Sequence, residues 1–424
     1  MNQRDIEYEK RRRRQKLRRQ KQVRRQKMIL LGGTIIFIAV LSTTIGIVSS
    51  RHKAAKEAAR LEELQLQKQK EQEEAQKLIE ANTVHLVAVG DNLIHEHIYQ
   101  STDTSQPVWN YDYLYTNIKD DIVSADLAAV NQECIFVANH SNVSAYPSFG
   151  SPTEIGDALV NAGFDIVEHA TNHAFDKGTS AINETLDYWK SNHPDIKVLG
   201  IHDSQESADT IPTVTCKDIT FSLLNYTSTI NGEEYDAIPS YMIDFLRSEK
   251  VTADVAKAKE AGDMVIAFLH TGEEYSTEPN QDQKNFLQLL LSQGVDIAIC
   301  SHSHVLQNYE TLTDDQGNEM LVYYSLGNFI STQKQPECLL GGMADITITR
   351  DPQTSELSIS DSQLIPLVTH YNYEKNEYSV YKLEDYTEEL AGEHSVHEET
   401  SEPFTLESLK QQFHNVLAQQ YTYD

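Results

Sequence analysis

The sequence predicts a layered α/β domain preceded by an apolar span and a helical segment. Two observations favour this fold class. Strand-like apolar runs alternate with helix-forming stretches from Thr83 onward, as they do in α/β domains. Several of those runs end in metal-binding side chains, and α/β sheets build their sites where strands end. The same pattern therefore predicts both the fold and the place of a site.

The chain begins with a basic segment followed by an uncharged apolar run. Residues 1–27 hold 13 Lys and Arg against 3 Asp and Glu, and residues 28–50 hold no charged side chain over 23 positions. Roughly 20 apolar residues cross a bilayer, so 28–50 is predicted to be a single transmembrane helix. The basic flank predicts a cytoplasmic N-terminus and an extracellular main domain at the cell membrane. A cleavable signal peptide is the alternative, although its apolar core is usually about 7–15 residues long.

Residues 51–82 have a helix-forming composition. They contain no Gly or Pro and are dense in Ala, Glu, Gln, Lys and Leu, which favours a helix. A heptad pattern through them is broken by Lys68 and Glu71, so a stable coiled coil is not expected. We predict a helical stalk that lifts the following domain from the membrane.

Charge is distributed unevenly along the chain. Removing residues 1–27 from the totals of 35 Lys and Arg and 64 Asp and Glu leaves 22 basic and 61 acidic residues, a net charge of −39 for residues 28–424. Such acidity repels nucleic acid and other polyanions unless metal ions intervene. Nucleic-acid binding is therefore not expected.

The body of the domain is predicted from its alternating patterns. Strands are predicted at Val84–Val89, Leu127–Asn131, Asp165–His169, Lys197–Leu199, Thr220–Tyr226, Met264–His270, Asp296–Cys300 and Met320–Leu326. Helices are predicted at Pro152–Ala162, Thr179–Ser191, Asp254–Ala261, Gln281–Gln293 and, near the C-terminus, Leu406–Gln419. Two later runs, Met343–Arg350 and Glu356–Ile365, are strand-like with no helix between them, so part of the sheet is predicted to be antiparallel.

The cysteines do not suggest a disulfide scaffold. Cys134, Cys216, Cys300 and Cys338 are scattered, and no two form a CxxC pair. Cys134 and Cys300 each lie at a strand end beside a candidate ligand. A disulfide between them and buried free thiols are both open alternatives.

Ligand-type residues close several of the apolar runs. They are Asp91, Glu133, Asn172, His173, His270, His302 and His304. Each has an ordinary explanation when taken alone, such as a turn or a helix cap for Asp91. Glu133 follows the apolar run Ala125–Val130, where a buried carboxylate is costly without a cation or a partner. Together they form a mixed oxygen and nitrogen set that suits Mn or Fe and can hold Zn.

Six motifs in order resemble those of the CapA (PgsA-type) capsule and poly-γ-glutamate synthesis family. They are Gly90-Asp91, Asn131-Gln132-Glu133, the segment from Ala170 to Gly178 with Asn172-His173, the segment from His270 to Tyr275, the segment from Ser301 to Gln307, and the segment from Tyr324 to Phe329. That family is similar to the calcineurin-like metallophosphoesterases. The resemblance implies a metallophosphoesterase-like β-sandwich flanked by helices over residues 83–369, followed by an acidic extension at 370–424.

The resemblance also implies one or two divalent metal ions, Mn, Zn or Fe. By that pattern Asp91 and His304 would hold one ion. Asn172, His270 and His302 would hold the other, with Glu133 bridging the two. His173 would be the catalytic acid that protonates the leaving oxygen or steadies the phosphoryl oxygens. The residues implied to support these groups or to face the substrate are Asp176, Glu273, Tyr275 and Asn328.

The first motif departs from the phosphoesterase pattern. It reads Asp91-Asn92-Leu93 where Asp-x-His is usual, so one histidine ligand is missing. Either His95 replaces it or the first metal site is weak or empty. Both alternatives are open at this point.

The expected function is that of a membrane-anchored, extracellular protein of capsule or poly-γ-glutamate biosynthesis or export. The resemblance implies a metal-dependent hydrolase that acts on an envelope polymer or a phosphoester. The alternatives are a non-catalytic assembly or export subunit that binds the polymer, and a phosphatase that shares the fold. Implied partners are the cell membrane, polyglutamate synthase subunits and the anionic polymer.

Overall fold

The structure is a computed structural model, which describes residues 51–232 and 238–423. The chain divides into two compact units, Met1–Leu78 and Ile79–Asp424. All of the described strands and all of the candidate ligands belong to the second unit.

The described elements follow one another as the alternating pattern predicts. In chain order the strands are β1 (Thr83–Asn92), β2 (Leu127–Asn131), β3 (Phe136–Val137), β4 (Ser151–Pro152), β5 (Ile166–Glu168), β6 (Lys197–Leu199), β7 (Thr213–Cys216), β8 (Ile219–Thr227), β9 (Met264–His270), β10 (Ile297–Ser301), β11 (Tyr309–Thr313), β12 (Glu319–Tyr323), β13 (Asn328–Ile330), β14 (Leu340–Arg350), β15 (Leu357–Asn372) and β16 (Glu377–Lys382). The helices are α1 (Arg51–Ala81), α2 (Glu96–Tyr99), α3 (Lys119–Ser124), α4 (Glu154–Ala162), α5 (Gly178–Asn192), α6 (Gln205–Asp209), α7 (Ser248–Ala261), α8 (Gln281–Gln293), α9 (Glu388–Glu393) and α10 (Leu406–Ala418).

The localisation prediction is corrected by the structure. Within the part of the chain that is described, no helix combines the length and the apolar character needed to cross a membrane. Helix α1 is long enough, at 31 residues, but Lys, Glu and Gln recur along it. A single-pass membrane protein with an extracellular main domain is therefore not supported. The predicted span 28–50 and the basic segment 1–27 lie outside the described residues, and the role of α1 as a stalk stays a prediction.

Two sheets form the body of the second unit. The larger one has eight described strands in the order β16-β15-β14-β1-β2-β5-β6, and β13 also pairs with β1. Within it β1, β2, β5 and β6 are parallel, whereas β14, β15 and β16 are antiparallel. The six-stranded sheet has the order β11-β12-β10-β9-β8-β7, with antiparallel strands at both edges. The predicted mixture of parallel and antiparallel strands is confirmed, and so is the mixed α/β class.

The smaller sheet is buried on both faces because its strands alternate between two apolar clusters. Phe221 and Ile266 belong to the core that also contains the strands of the larger sheet. Leu224 and Val265, an odd number of positions away on the same two strands, belong to a second core with the apolar faces of α7 and α8. Helices α7 and α8 therefore cover one face of the six-stranded sheet, and its other face packs against the larger sheet.

The parallel strands of both sheets end at the candidate site. β1 ends one residue after Asp91, β2 ends at Asn131, β9 ends at His270 and β10 ends at Ser301. Strand order brings these ends together, since β1 neighbours β2 and β9 neighbours β10.

All four cysteines are free thiols. Of the two alternatives for Cys134 and Cys300, the structure therefore has the free thiols and not the disulfide.

Candidate metal centre

A close backbone approach places the first candidate ligand. The Gly327 carbonyl oxygen lies where a side chain on Gly90 would be, only 1.9 Å from the position of an added Cβ. Glycine at position 90 therefore lets the β1 backbone reach the Gly327 carbonyl, which accepts a 2.9 Å hydrogen bond from the Asp91 amide. Asp91 pairs with Asn328 of β13 as a result, and its side chain is fully buried.

Three predicted ligands form a compact acidic and imidazole group. One ligand atom from each of Asp91, Glu133 and His304 lies within 4.8 Å of the others. The Nδ1 atom of His304 is 3.1 Å from the Asp91 Oδ2 atom and 3.1 Å from the Asn328 Oδ1 atom. Its Nε2 atom is 3.8 Å from the Glu133 Oε1 atom. Asn328, predicted to support the ligands, thus contacts one of them directly.

A second group surrounds His270. Its Nε2 atom lies 2.9 Å from the Asn172 Oδ1 atom and 3.1 Å from the His302 Nδ1 atom. The same Nε2 atom is 3.9 Å from the Glu133 Oε1 atom. The structure therefore brings Asn172, His270 and His302 together beside Glu133, and His270 also lies 3.8 Å from the Asp91 Oδ1 atom of the first group. Metal binding by these side chains stays a prediction.

Glu133 is a fully buried carboxylate that receives no hydrogen bond from any residue in the described part of the chain. Both of its carboxylate oxygens are buried and unpartnered. The nearest imidazole nitrogens, from His173, His270 and His304, lie 3.8–3.9 Å from Oε1, which is beyond hydrogen-bonding distance. Burial raises the pKa of the Glu133 carboxyl well above its ordinary value; His304 opposes the rise, and Asp91 adds to it.

The histidines around Glu133 differ in their electrostatic environment. Burial lowers the pKa of His302 to about 4 and the pKa of His270 well below its ordinary value. Neutral imidazole is the form that binds metals. For His304, burial also acts to lower the pKa, but Glu133 and Asp91 outweigh it and raise the pKa to about 9. Among His270, His302 and His304, the Glu133 and Asp91 carboxylates therefore act most strongly on His304.

The loop after β10 is held in an unusual backbone conformation. His302 has a φ of 93° and His304 a φ of 60°, in the left-handed region that residues other than glycine seldom adopt. Such residues cost on the order of 1–3 kcal/mol each and tend to cluster at functional sites. The His302 amide donates a hydrogen bond to the Asp91 Oδ2 atom at 3.3 Å, so the carboxylate contacts both histidines of this loop.

His173 lies beside this centre with its ring oriented by a carboxylate. Its Nδ1 atom is 2.6 Å from the Asp176 Oδ2 atom, and its Nε2 atom is 3.8 Å from the Glu133 Oε1 atom. Asp176 also accepts a 2.7 Å hydrogen bond from the Phe149 amide, and the Phe149 ring packs edge-on against His173. Asp176 can therefore hold a proton on Nδ1, while Nε2 faces Glu133 and lies 3.3 Å from the Asn231 Nδ2 atom.

Two predicted residues occupy other positions. His95 is near enough to His304 to interact electrostatically, and burial lowers its pKa to about 3. However, the Thr332 amide donates a 3.3 Å hydrogen bond to its Nδ1 atom, so only Nε2 could ligate a metal. Glu273 is exposed, and among the described contacts its side chain has none with the centre. Tyr275 lies closer, with its ring centroid 6.0 Å from that of His304.

Asn131 and Glu274 are among the residues at the centre that were not predicted as site residues. The Asn131 Nδ2 atom donates a 2.7 Å hydrogen bond to the Asp91 Oδ1 atom and lies 3.1 Å from the His270 Nδ1 atom. It links ligands from the two sheets, and its place in the Asn131-Gln132-Glu133 motif could have indicated it. Glu274, not its neighbour Glu273, acts on Glu133 and His304 by charge. Adjacent glutamates in a loop give no sequence pattern that separates them.

Comparison with known proteins agrees with this arrangement of motifs. The family model described as "Bacterial capsule synthesis protein PGA_cap" matches residues 85–333, more than half of the chain. The chain belongs to this family. The matched range contains all of the candidate ligands described above.

Curated relatives carry the same family's names at low identity. The capsule biosynthesis protein CapA of Bacillus anthracis is 23% identical over 261 residues, covering 58% of this chain and 60% of that protein. The PGA biosynthesis protein CapA of Bacillus subtilis is 23% identical over 254 residues, covering 58% and 62%. The match thus spans about three fifths of the length of these relatives.

Solved structures overlap with this capsule synthesis family member only in part. A Staphylococcus aureus protein assigned as a 5'-nucleotidase, in complex with alpha-ketoglutarate, has a TM-score of 0.45 at 17% identity and covers 67% of this chain and 54% of that one. A 5'-nucleotidase from Candida albicans has a TM-score of 0.38 at 10% identity and covers 79% and 58%. Overlaps of this extent do not assign an activity.

Proposed function

We propose that the protein is a metal-dependent hydrolase of capsule polymer metabolism, acting on a phosphoester or an amide bond. Membership of the capsule synthesis family supports the setting. The environment of Glu133 carries the proposal of metal dependence. A carboxylate with both oxygens buried and unpartnered is costly unless a cation compensates it.

The residues present fit divalent metal ions. The donor set combines carboxylate and amide oxygens with imidazole nitrogens, which suits Mn, Fe or Zn. Asp91 and His304 would hold one ion, and Asn172, His270 and His302 would hold another, with Glu133 within reach of both sets. When bound, such ions supply positive charge and a water molecule of lowered pKa.

The protein's own groups supply the proton transfer. The Asp176 carboxylate accepts a hydrogen bond from His173 Nδ1 and so fixes the ring, with Nε2 facing the Glu133 side. A proton on Nε2 can then pass to the leaving oxygen or nitrogen. Oriented histidines of this kind are the most frequent general acids in enzymes.

One observation favours a second candidate function, a non-catalytic subunit that binds the polymer during assembly or export. Leu93, at the position where the phosphoesterase pattern has histidine, is in the apolar core and only 2% exposed. The Nδ1 atom of His95 is already engaged by the backbone, so this side of the centre has few nitrogen ligands. Bound polymer without turnover would favour this second function. Polyglutamate synthase subunits and the anionic polymer are the partners that we propose in either case.

The purified full-length protein should bind at least one divalent transition metal ion per chain. The reason is the convergence of Glu133 with the imidazoles of His270, His302 and His304. Elemental analysis after expression in medium that contains Mn and Zn measures the content, and hydrolysis of bis(p-nitrophenyl) phosphate by the same preparation tests turnover. A folded protein with less than about a tenth of an ion per chain, well below the near-unit occupancy of a dedicated site, would contradict the proposal.

Substituting His302→Ala should weaken metal binding far more than His95→Ala. His302 contacts His270 directly in the buried ligand group, whereas the His95 ring is tied to the backbone. Loss of an outer-shell partner typically costs about 10–100-fold in metal affinity, so His302→Ala should exceed about 100-fold and His95→Ala should stay within about tenfold. Metal titration of both variants, with thermal melts as the folding control, makes the comparison. Equal losses would show that His95 is also a ligand.

A further inference from the structure

Two tyrosine side chains stand out among the described residues, one largely exposed and the other about half exposed. Tyr146 is 80% exposed and Tyr275 is 47% exposed, while the other large hydrophobic side chains exposed to this degree are aliphatic. Tyrosine buries a large apolar ring when it can, and most of the described tyrosines here are partly or fully buried. Both exposed rings are carried by loops that are attached to the candidate metal centre.

The loop of Tyr146 is fixed to His173 through its neighbours. Ser144 and Gly150 exchange two backbone hydrogen bonds of 2.9–3.0 Å, which closes the loop. Within it the Phe149 amide donates to the Asp176 carboxylate at 2.7 Å, and the Phe149 ring centroid lies 4.6 Å from that of His173. Tyr146 therefore extends from a loop whose base packs on the proposed general acid.

The loop of Tyr275 is fixed to the loop that carries His302 and His304. Its amide donates a 2.8 Å hydrogen bond to the Ser303 carbonyl, between His302 and His304. Its φ of 65° is in the left-handed region, where a bulky residue is an outlier that surrounding contacts must hold. The Gln333 amide also reaches its hydroxyl, at 3.5 Å. This exposed ring is thus held in place by the same loop that carries the histidines.

The bases of the two loops meet around Glu133, because the Nε2 atoms of His173 and His304 each lie 3.8 Å from its Oε1 atom. Burial raises the pKa of Tyr275 to about 12. Four neighbouring groups add to that rise and so lie within electrostatic reach of its phenol: Glu274, Cys338, Glu133 and Tyr146. The charged groups that act on Glu133 and His304 are likewise acidic or imidazole groups. The loops around the centre therefore carry aromatic rings and negative charge.

We propose that Tyr146 and Tyr275 form an aromatic subsite that binds a flat, uncharged group of the substrate beside the scissile bond. The proposal rests on the proposed function, since it takes the Glu133 centre as the place of reaction. A flat group presents a π face that stacks on tyrosine, and it avoids the repulsion that Glu274 would exert on an anion. The amide planes of a peptide-like polymer and the rings of an aryl ester both have this chemistry.

Equilibrium binding of two phosphodiesters to the full-length protein with Mn²⁺ tests the subsite. Diphenyl phosphate carries two flat rings, and dimethyl phosphate carries the same charge without them. Tyr146→Ala and Tyr275→Ala should each weaken binding of diphenyl phosphate about tenfold, as the loss of one stacking partner typically does. The matched Tyr146→Phe and Tyr275→Phe variants should bind within about twofold of wild type, since the ring is retained. Dimethyl phosphate should bind all five proteins alike.

Several outcomes would overturn the subsite. Failure of the wild type to bind diphenyl phosphate more tightly than dimethyl phosphate would do so, and so would unchanged binding by Tyr146→Ala. Tyr275→Ala could shift the loop that carries His302 and His304, so metal content is measured on each sample to detect that effect. Tyr146→Ala tests the proposal on a different loop. Turnover of bis(p-nitrophenyl) phosphate is recorded on the same samples. Ring-dependent binding without turnover refutes the hydrolase alone, and turnover without ring dependence refutes the subsite alone.

Discussion

Replacing His173 with alanine should leave the metal content unchanged and lower turnover by about 10²–10⁴-fold, the usual contribution of a general acid. By the phosphoesterase pattern, His173 is the acid and is not one of the ligands. Its Nδ1 atom is engaged by Asp176 at 2.6 Å, and its Nε2 atom faces Glu133 from 3.8 Å. The side chain is therefore placed to transfer a proton without contributing to the ligand set. Metal content and rate should be measured on one preparation.

Asn172→Ala is the matched control for His173→Ala, because it changes the adjacent residue of the same loop. The Asn172 Oδ1 atom is 2.9 Å from His270 Nε2, so its loss should lower metal content and activity together. If His173 only pins this loop, His173→Ala will behave in the same way, with normal activity per bound ion and a lower melting temperature. That result would end the assignment of His173 as the acid.

Sequence reasoning located the site because backbone topology constrains it strongly. Each parallel strand places the residue after its last apolar position at the same edge of the sheet. Strand ends indicated Asp91, His270 and His302, and the resemblance to the capsule synthesis family implied their ligand roles, which stay a prediction. The structure places all three side chains within one buried cluster. The alternating pattern also predicted ten of the sixteen described strands and six of the ten described helices, and those that it missed are mostly short.

Other features depend on contacts that no local pattern encodes. The hairpin between β7 and β8 turns at Lys217 and Asp218, which have φ values of 48° and 62°, yet this pair lacks the Asn-Gly or Asp-Gly sequence that usually predicts such turns. Sequence reasoning chose Glu273 and missed Glu274, which acts on Glu133 and His304 by charge. In a loop, no periodic pattern distinguishes two adjacent glutamates. The exposure of Tyr146 likewise follows from how its loop is attached to Asp176.

Replacing Glu133 with glutamine should have opposite consequences in metal-free and metal-loaded protein. In the wild type, metal at about 1,000 times its dissociation constant should stabilise the fold by about 4 kcal/mol, which raises the melting temperature by roughly six degrees for a domain of this size. Glu133→Gln removes the central carboxylate, so most of that rise should disappear. Metal-free Glu133→Gln should melt no lower than metal-free wild type, because a neutral amide is less costly to bury than an unpartnered carboxylate.

Glu260→Gln provides the control for the same chemical change at an exposed position of α7. It should change stability by no more than about 0.5 kcal/mol in either state, as surface substitutions usually do. Thermal melts of the three proteins, with chelator and with added Mn²⁺, make the measurement. If metal-free Glu133→Gln melts well below wild type, the carboxylate stabilises the fold without a cation. If it also gains as much from Mn²⁺ as wild type does, Glu133 is not a ligand, and the orphaned oxygens require another explanation.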